Sequence, residues 1–131
     1  MPALNFQAQF ADDVADGTKQ QSIRAPRRDG RVHCKVGDTL KLYTGMRTKS
    51  CRLLGEGRVT GVRDVRIEGV EMWLNGLRLP THIYSRDQLE PTDNEFAQAD
   101  GFEDFMDMRD WFSEHHGLPF EGVCIEWELI R

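Results

Sequence analysis

The segment VEMWLNGLRLP, residues 70–80, constrains this chain more than any other stretch of its length. Asn75 and Gly76 are the residue pair preferred where a strand reverses through a two-residue type I′ turn, because both tolerate a positive φ. Short apolar runs flank the pair, so the region reads as two antiparallel strands, and the chain must be at least partly β. Met72, Trp73, Leu74, Leu77 and Leu79 would then supply a ribbon that is buried in the core or pairs two subunits along an edge.

Further strands follow from alternation. Thr18 to Arg24, with Thr, Gln, Ser and Ile, suits a short strand closed by the basic turn PRRDGR. In KVGDTLKLYTG, Leu40 and Leu42 alternate with Lys41 and Tyr43. The stretch CRLLGEGRVTGVRDVRI carries glycines that suggest a bent strand, and in VCIEWEL the residues Val123, Ile125, Trp127 and Leu129 alternate with Cys124, Glu126 and Glu128. Two segments have helical spacing instead. Phe6, Phe10 and Val14 form a stripe in NFQAQFADDVADG, and Phe102, Phe105, Met108 and Phe112 form another in DGFEDFMDMRDWFSEHHG. Acidic residues crowd the start of the second helix, and Gly117 and Pro119 end it. The expected fold is α+β, a small mixed β-barrel with two main flanking helices, in a single domain spanning residues 1–131.

Charge is unevenly distributed along the chain. Residues 18–66 contain thirteen Lys/Arg and four Asp/Glu, a net +9, while the remainder carries −14, giving −5 overall. Either the basic segment forms one positive face that attracts phosphates, or acidic elements fold over it and the charges pair. Cys34, Cys51 and Cys124 are too scattered for a disulfide framework, and neither His33-Cys34 nor His115-His116 has a partner pair at zinc-site spacing, so no metal and no cofactor are expected. No apolar run is long enough for a membrane helix, and MPALNFQAQF lacks the basic-then-apolar order of a secretion signal. The expectation is a cytoplasmic protein with no membrane partner.

Four blocks, FADDVADGTKQQSIR, KVGDTLKLYTG, DGFEDFMDMRDWF and VCIEWEL, resemble in that order the ASCH domain, a branch of the PUA-like β-barrel group. The resemblance extends over nearly the whole chain. The hairpin region of residues 70–90 is longer than the family's minimal form. The resemblance implies a barrel with a cleft between strands and helices, and RNA or a modified nucleoside as partner. One branch of the family removes the acetyl group of N4-acetylcytidine with a lysine, a threonine and a glutamate. Matched to that motif, Lys19 takes the lysine position, Ser22 the threonine position and Asp100 the glutamate position, and Arg24 matches the closing arginine. Serine for threonine keeps the hydroxyl nucleophile. Aspartate for glutamate shortens the reach by one methylene.

Amide cleavage at an exocyclic nitrogen needs a nucleophile, a base and a proton donor for the leaving amine. Ser22 attacking with neutral Lys19 as base is the serine–lysine variant of the hydrolase triad, and it requires the lysine to titrate roughly 3 units below its free value of about 10.4. Burial and Arg24 act in that direction, whereas pairing with Asp100 acts against it. In a regular strand, positions 19 and 22 face opposite ways, so Lys19 must lie in the bend after Gly17 to share a pocket with Ser22. Arg27, Arg28 and Arg31 would meet phosphates near the cleft. Two other readings stand beside this one. The chain is a non-catalytic RNA-binding domain acting through residues 18–66, or a ribonuclease using Asp100 with other acids, although no carboxylate cluster at metal-ligand spacing supports the latter.

Overall fold

The computed structural model describes residues 2–80 and 92–130. One strand organises the sheet. β4 (Arg52–Glu68) runs for 17 residues, long enough to pair with several partners in turn. Along one edge its first half pairs antiparallel with β3 (Thr39–Thr44), which in turn pairs in parallel with β1 (Ala3–Phe6). Its last residues pair with β5 (Glu71–Leu74), and β5 pairs with β6 (Leu77–Arg78). The opposite edge of β4 is covered by β7 (Phe120–Ile130), which carries β2 (Gln21–Arg24) on its far side. The β4–β7 register slips between Val59 and Gly61, a bulge at the glycine-bearing stretch that the sequence marks as bent.

The result is an α+β fold with one seven-stranded sheet and, among the described residues, three helices. The sheet is not closed. β1 and β2 end the strand order on its two sides and do not pair with each other, so the expected closed barrel is not what the strand pairing shows. The chain leaves β1, forms α1 (Ala8–Asp16), which packs against β1, β3 and β4, and returns as β2.

The turn at Asn75-Gly76 is as expected, with φ of 48° and 82° at its two residues. Met72, Leu74 and Leu79 are buried, whereas Leu77 stays 64% exposed, so the ribbon contributes mainly to the core. The rest of the 70–90 extension, from residue 81, lies outside the described residues. The first helix starts at Ala8 rather than Asn5, because Phe6 belongs to β1 while Phe10 and Val14 alone form the buried helical stripe. The second expected helix begins at Phe105, which leaves Phe102 ahead of its first turn, and a separate helix that the sequence reading did not foresee precedes it. α2 (Asp93–Ala99) opens with a capping box in which Thr92 and Glu95 satisfy each other's backbone N–H groups, and α3 (Phe105–His115) is capped by Asp104, which accepts from the Asp107 N–H at 2.8 Å. Phe105, Met108 and Phe112 point inward from α3 as their spacing requires.

β7 departs from simple alternation. Cys124 is as fully buried as Ile125, because Asp100 and the link between α1 and β2 cover the face expected to meet solvent. The charge segregation of the sequence is offset in part by this strand. Arg63 pairs with Glu126 and Arg66 approaches Glu121 at 3.8 Å, so the acidic final strand neutralises the basic one beside it. No helix of the described residues is long and apolar enough to cross a membrane.

Gly122 lets β2 approach β7. A Cβ there would stand 2.3 Å from the Arg24 carbonyl oxygen, a backbone atom that cannot yield without moving the strand. Gly122→Ala is therefore expected to lower unfolding free energy by roughly 3 kcal/mol, the upper end of overpacking. Gly61→Ala, whose Cβ would meet a glutamate side-chain tip at 3.4 Å, should cost less than half as much in the same urea titration. Equal effects would contradict this packing account.

Candidate functional site

α1 ends at Gly17, and residues 18–20 connect it to β2, the Gln20 carbonyl already accepting from the Trp127 N–H of β7 at 3.0 Å. The Lys19 N–H donates to the Asp13 carbonyl at 2.9 Å, which ties the bend back to α1. Ser22 and Arg24, two residues apart on β2, share a face. Asp100 ends α2, its N–H donating to the Phe96 and Ala97 carbonyls at 3.1 Å. The next residue, Gly101, has φ +98°, and a Cβ there would press on the Phe10 ring at 3.0 Å and on Lys19 Cδ at 3.6 Å. Glycine therefore lets the α2–α3 corner close over the lysine.

Lys19, Ser22, Arg24 and Asp100 all line one cavity of about 310 Å³, set at the unpaired seam between β1 and β2. Its other walls include Phe6 and Phe10 from the β1–α1 side and Phe102, Trp111 and His116 from around α3. Phe10 and Phe102 meet edge to face at 5.7 Å, and Trp111 packs on Phe102 at 6.0 Å. A small polar cluster thus sits at the base of an aromatic box.

The polar groups form two linked pairs. Lys19 Nζ donates to the Asp100 main-chain oxygen, stands 3.4 Å from its Oδ1 and lies 5.0 Å from the centre of the Phe10 ring. Gln21 Nε2 donates to the same Oδ1 at 3.4 Å. Lys19 is 3% exposed and Asp100 4%, so this is a buried pair. Arg24 Nε donates to Ser22 Oγ at 2.8 Å, and its guanidinium lies 4.8 Å over the Phe6 ring. Among the described residues no hydrogen bond joins Lys19 to Ser22: the hydroxyl is held by Arg24 and the amine by Asp100.

Burial pulls the Lys19 amine below its ordinary 10.5, opposed by the charge of Asp100 and aided by that of Arg24. Burial pushes the Asp100 carboxyl above its ordinary 3.8, opposed by Lys19, the Gln21 hydrogen bond and Arg24. Arg24 is pushed down to about 10 by burial, against the pull of Asp100, and stays charged at neutral pH. Each direction means that the fold holds these groups in their less favoured environment. Folded Lys19 releases its proton more readily than unfolded Lys19, so its contribution makes stability rise with pH between the lowered value and 10.5. Folded Asp100 holds its proton more tightly, so its contribution makes stability fall as pH rises from 3.8 through the raised value.

The other arginines of the sequence reading lie elsewhere. Arg27 and Arg31 line a separate cavity, Arg28 lines neither, and all three are exposed. They do not share the cavity of Lys19. Conversely, sequence reasoning passed over Gln21 and Trp111, and weighed His116 only as half of a zinc-ligand pair. Trp111 falls off the apolar stripe of its helix, and that position, beside Phe112 and within reach of His115 and His116, was the available signal. Among the described residues no three His, Cys, Asp or Glu side chains are grouped to hold a metal ion. Comparison with family models, with curated proteins and with solved structures yields no match.

Removing one member of a buried pair strands the other charge, which costs about 3–5 kcal/mol, whereas replacing both by apolar groups is often nearly neutral. Asp100→Leu is therefore expected to lose about that much stability, and Lys19→Met with Asp100→Leu to recover most of it. A double-mutant cycle by denaturant unfolding reads the coupling directly, and additive losses would show that the two groups do not act as a pair.

Proposed function

We propose that the chain is an ASCH-type, PUA-like module, its sheet left open between β1 and β2, that binds RNA or a modified nucleoside in the Lys19 cavity, an N4-acylated cytidine being the ligand whose amide the site would hydrolyse. The observation that carries the reading is convergence. An amine, a hydroxyl, a guanidinium and a carboxyl drawn from two distant parts of the chain meet in one cavity with aromatic walls. Flat aromatic surfaces suit a nucleobase, and four polar groups suit an acylated exocyclic amine. A buried, unfavourably placed ion pair in a cleft is a mark of function, because it weakens the fold rather than supporting it. The location expected from the sequence is the cytoplasm.

In this reading Ser22 Oγ attacks the acyl carbonyl while its proton passes to neutral Lys19. Arg24, already bonded to the oxygen that attacks, faces the negative charge that develops on the carbonyl oxygen. The C–N bond then breaks, and the Lys19 ammonium returns its proton to the departing cytidine N4. A water molecule hydrolyses the acyl-serine, again with Lys19 taking and returning a proton. Asp100 acts on Lys19, holding the amine by its main-chain oxygen. Ligand entry must bring the Lys19 amine and the Ser22 hydroxyl together, since each has another partner in the free protein.

That same pairing favours a second reading, binding without turnover, in which Arg24 and Ser22 together hold a nucleobase oxygen. The RNA-binding alternative rests on the exposed arginines of residues 18–66 and predicts a log–log salt slope of roughly −0.7 per phosphate contacted on a single strand.

With N4-acetylcytidine as substrate, acetate release is expected from the natural chain. It should be retained in Ser22→Thr and lost by at least about a hundredfold in Ser22→Ala and Lys19→Met, in line with removal of a nucleophile or base. The rate should climb with pH through an apparent value below 10.5, because only the neutral amine accepts the serine proton. Calorimetric binding with no acetate at any pH would leave the binding reading standing. Absence of both binding and release would end both readings.

A further inference from the structure

The second cavity, about 690 Å³, is the larger of the two described and is not used by the reading above. It lies between the basic loop that follows β2 and the surface formed by β4, β5 and β7. Val62, Val65, Val123 and Trp73 contribute apolar surface from the sheet, and Val32 of the loop lies at the cavity with 66% of its surface exposed. The loop is anchored by His33, whose Nε2 is 2.8 Å from the Ala25 carbonyl oxygen. A carbonyl only accepts, so that nitrogen carries the proton.

Three arginines line this cavity, and two are already matched. Arg27 pairs with Asp29 at 2.8 Å. Arg66 pairs with Glu68, approaches Glu121 at 3.8 Å and lies 5.5 Å over the Trp73 ring. The Arg31 guanidinium has no ion pair within 4.0 Å among the described residues. An apolar surface with an aromatic ring and one unmatched cation is the complement of a particular ligand chemistry.

We propose that this cavity is a second ligand site, taking a small amphipathic monoanion whose flat apolar body rests on Trp73 and the valines and whose single oxyanion group meets Arg31. The proposal does not rest on the reading of the Lys19 cavity. A volume of this size belongs to sites that enclose ligands of drug-like dimensions. A dianion would fit less well, because Asp64 and Glu121 also line the cavity and only one cation is unmatched.

The test is a fluorescence titration of the full chain with 8-anilinonaphthalene-1-sulfonate, set against its uncharged analogue N-phenyl-1-naphthylamine. The expected result is saturable binding of one sulfonate probe per chain, at least tenfold tighter than the uncharged probe. Arg31→Glu and, separately, Val32→Asp should each weaken it at least tenfold, while Lys19→Met should change it by less than twofold. Both weakening substitutions fall on an exposed loop, and an unchanged urea midpoint verifies that each variant is folded. Non-saturable binding, equal affinity for the two probes, indifference to both loop substitutions, or loss in Lys19→Met with retention in Arg31→Glu would each overturn the proposal.

Discussion

A lysine amine held against an aspartate in the interior is the constraint around which this structure is arranged. Two ionisable groups that are almost wholly withdrawn from water lose more solvation than their mutual attraction readily restores. The surroundings are built to tolerate them. Gln21 donates to the carboxylate, the Asp100 main-chain oxygen receives the amine, the Phe10 ring lies under it, and Gly101 leaves the room that the corner needs. Apart from Phe10, which lies within α1, these features belong to a connection between elements or to the first residue of a strand. Strand β2 supplies Ser22 and Arg24, and the joins beside it supply Lys19 and Asp100.

The open seam between β1 and β2 follows from the same arrangement. A sheet with two unpaired ends leaves an edge that proteins usually cover. Here Phe10 of α1 and the aromatic groups around α3 line the cavity together with residues of β1 and β2. The long strand β4 and the acidic strand β7 have a different task. Their pairing matches Arg63 and Arg66 with acidic residues of β7, while Arg31 in the loop after β2 has no ion pair among the described residues.

Much of this was legible in the residues. The hairpin at Asn75-Gly76, the strand from Thr39, the last strand and the inward stripe of α3 all follow from local pattern, because turn chemistry and side-chain periodicity are properties of neighbouring residues. A place in the bend after Gly17 was the condition for Lys19 to share a pocket with Ser22; both line one cavity, where the amine and the hydroxyl keep separate partners. What escaped is what depends on distant partners. β1 is four residues long and exists by virtue of its parallel pairing with β3, about forty residues away, so Phe6 reads equally well as the start of a helical stripe. Cys124 lies at a position of outward parity, and only the arrival of Asp100 from the helical region buries it. The link from Arg24 to Ser22 runs along one strand face, yet its importance emerges only when Lys19 is seen to be occupied by Asp100.

The chain has only four lysines, so the ionisation of Lys19 can be followed directly by NMR on protein labelled at the lysine ε-carbon, with Lys19→Met identifying the signal. The account predicts that this signal titrates below 10.5 and shifts further down when Asp100→Asn removes the carboxylate charge that opposes burial. A Lys19 signal that titrates at or above 10.5, indifferent to Asp100→Asn, would show that the amine is neither withdrawn from water nor coupled to the carboxyl, and would contradict the account at its base.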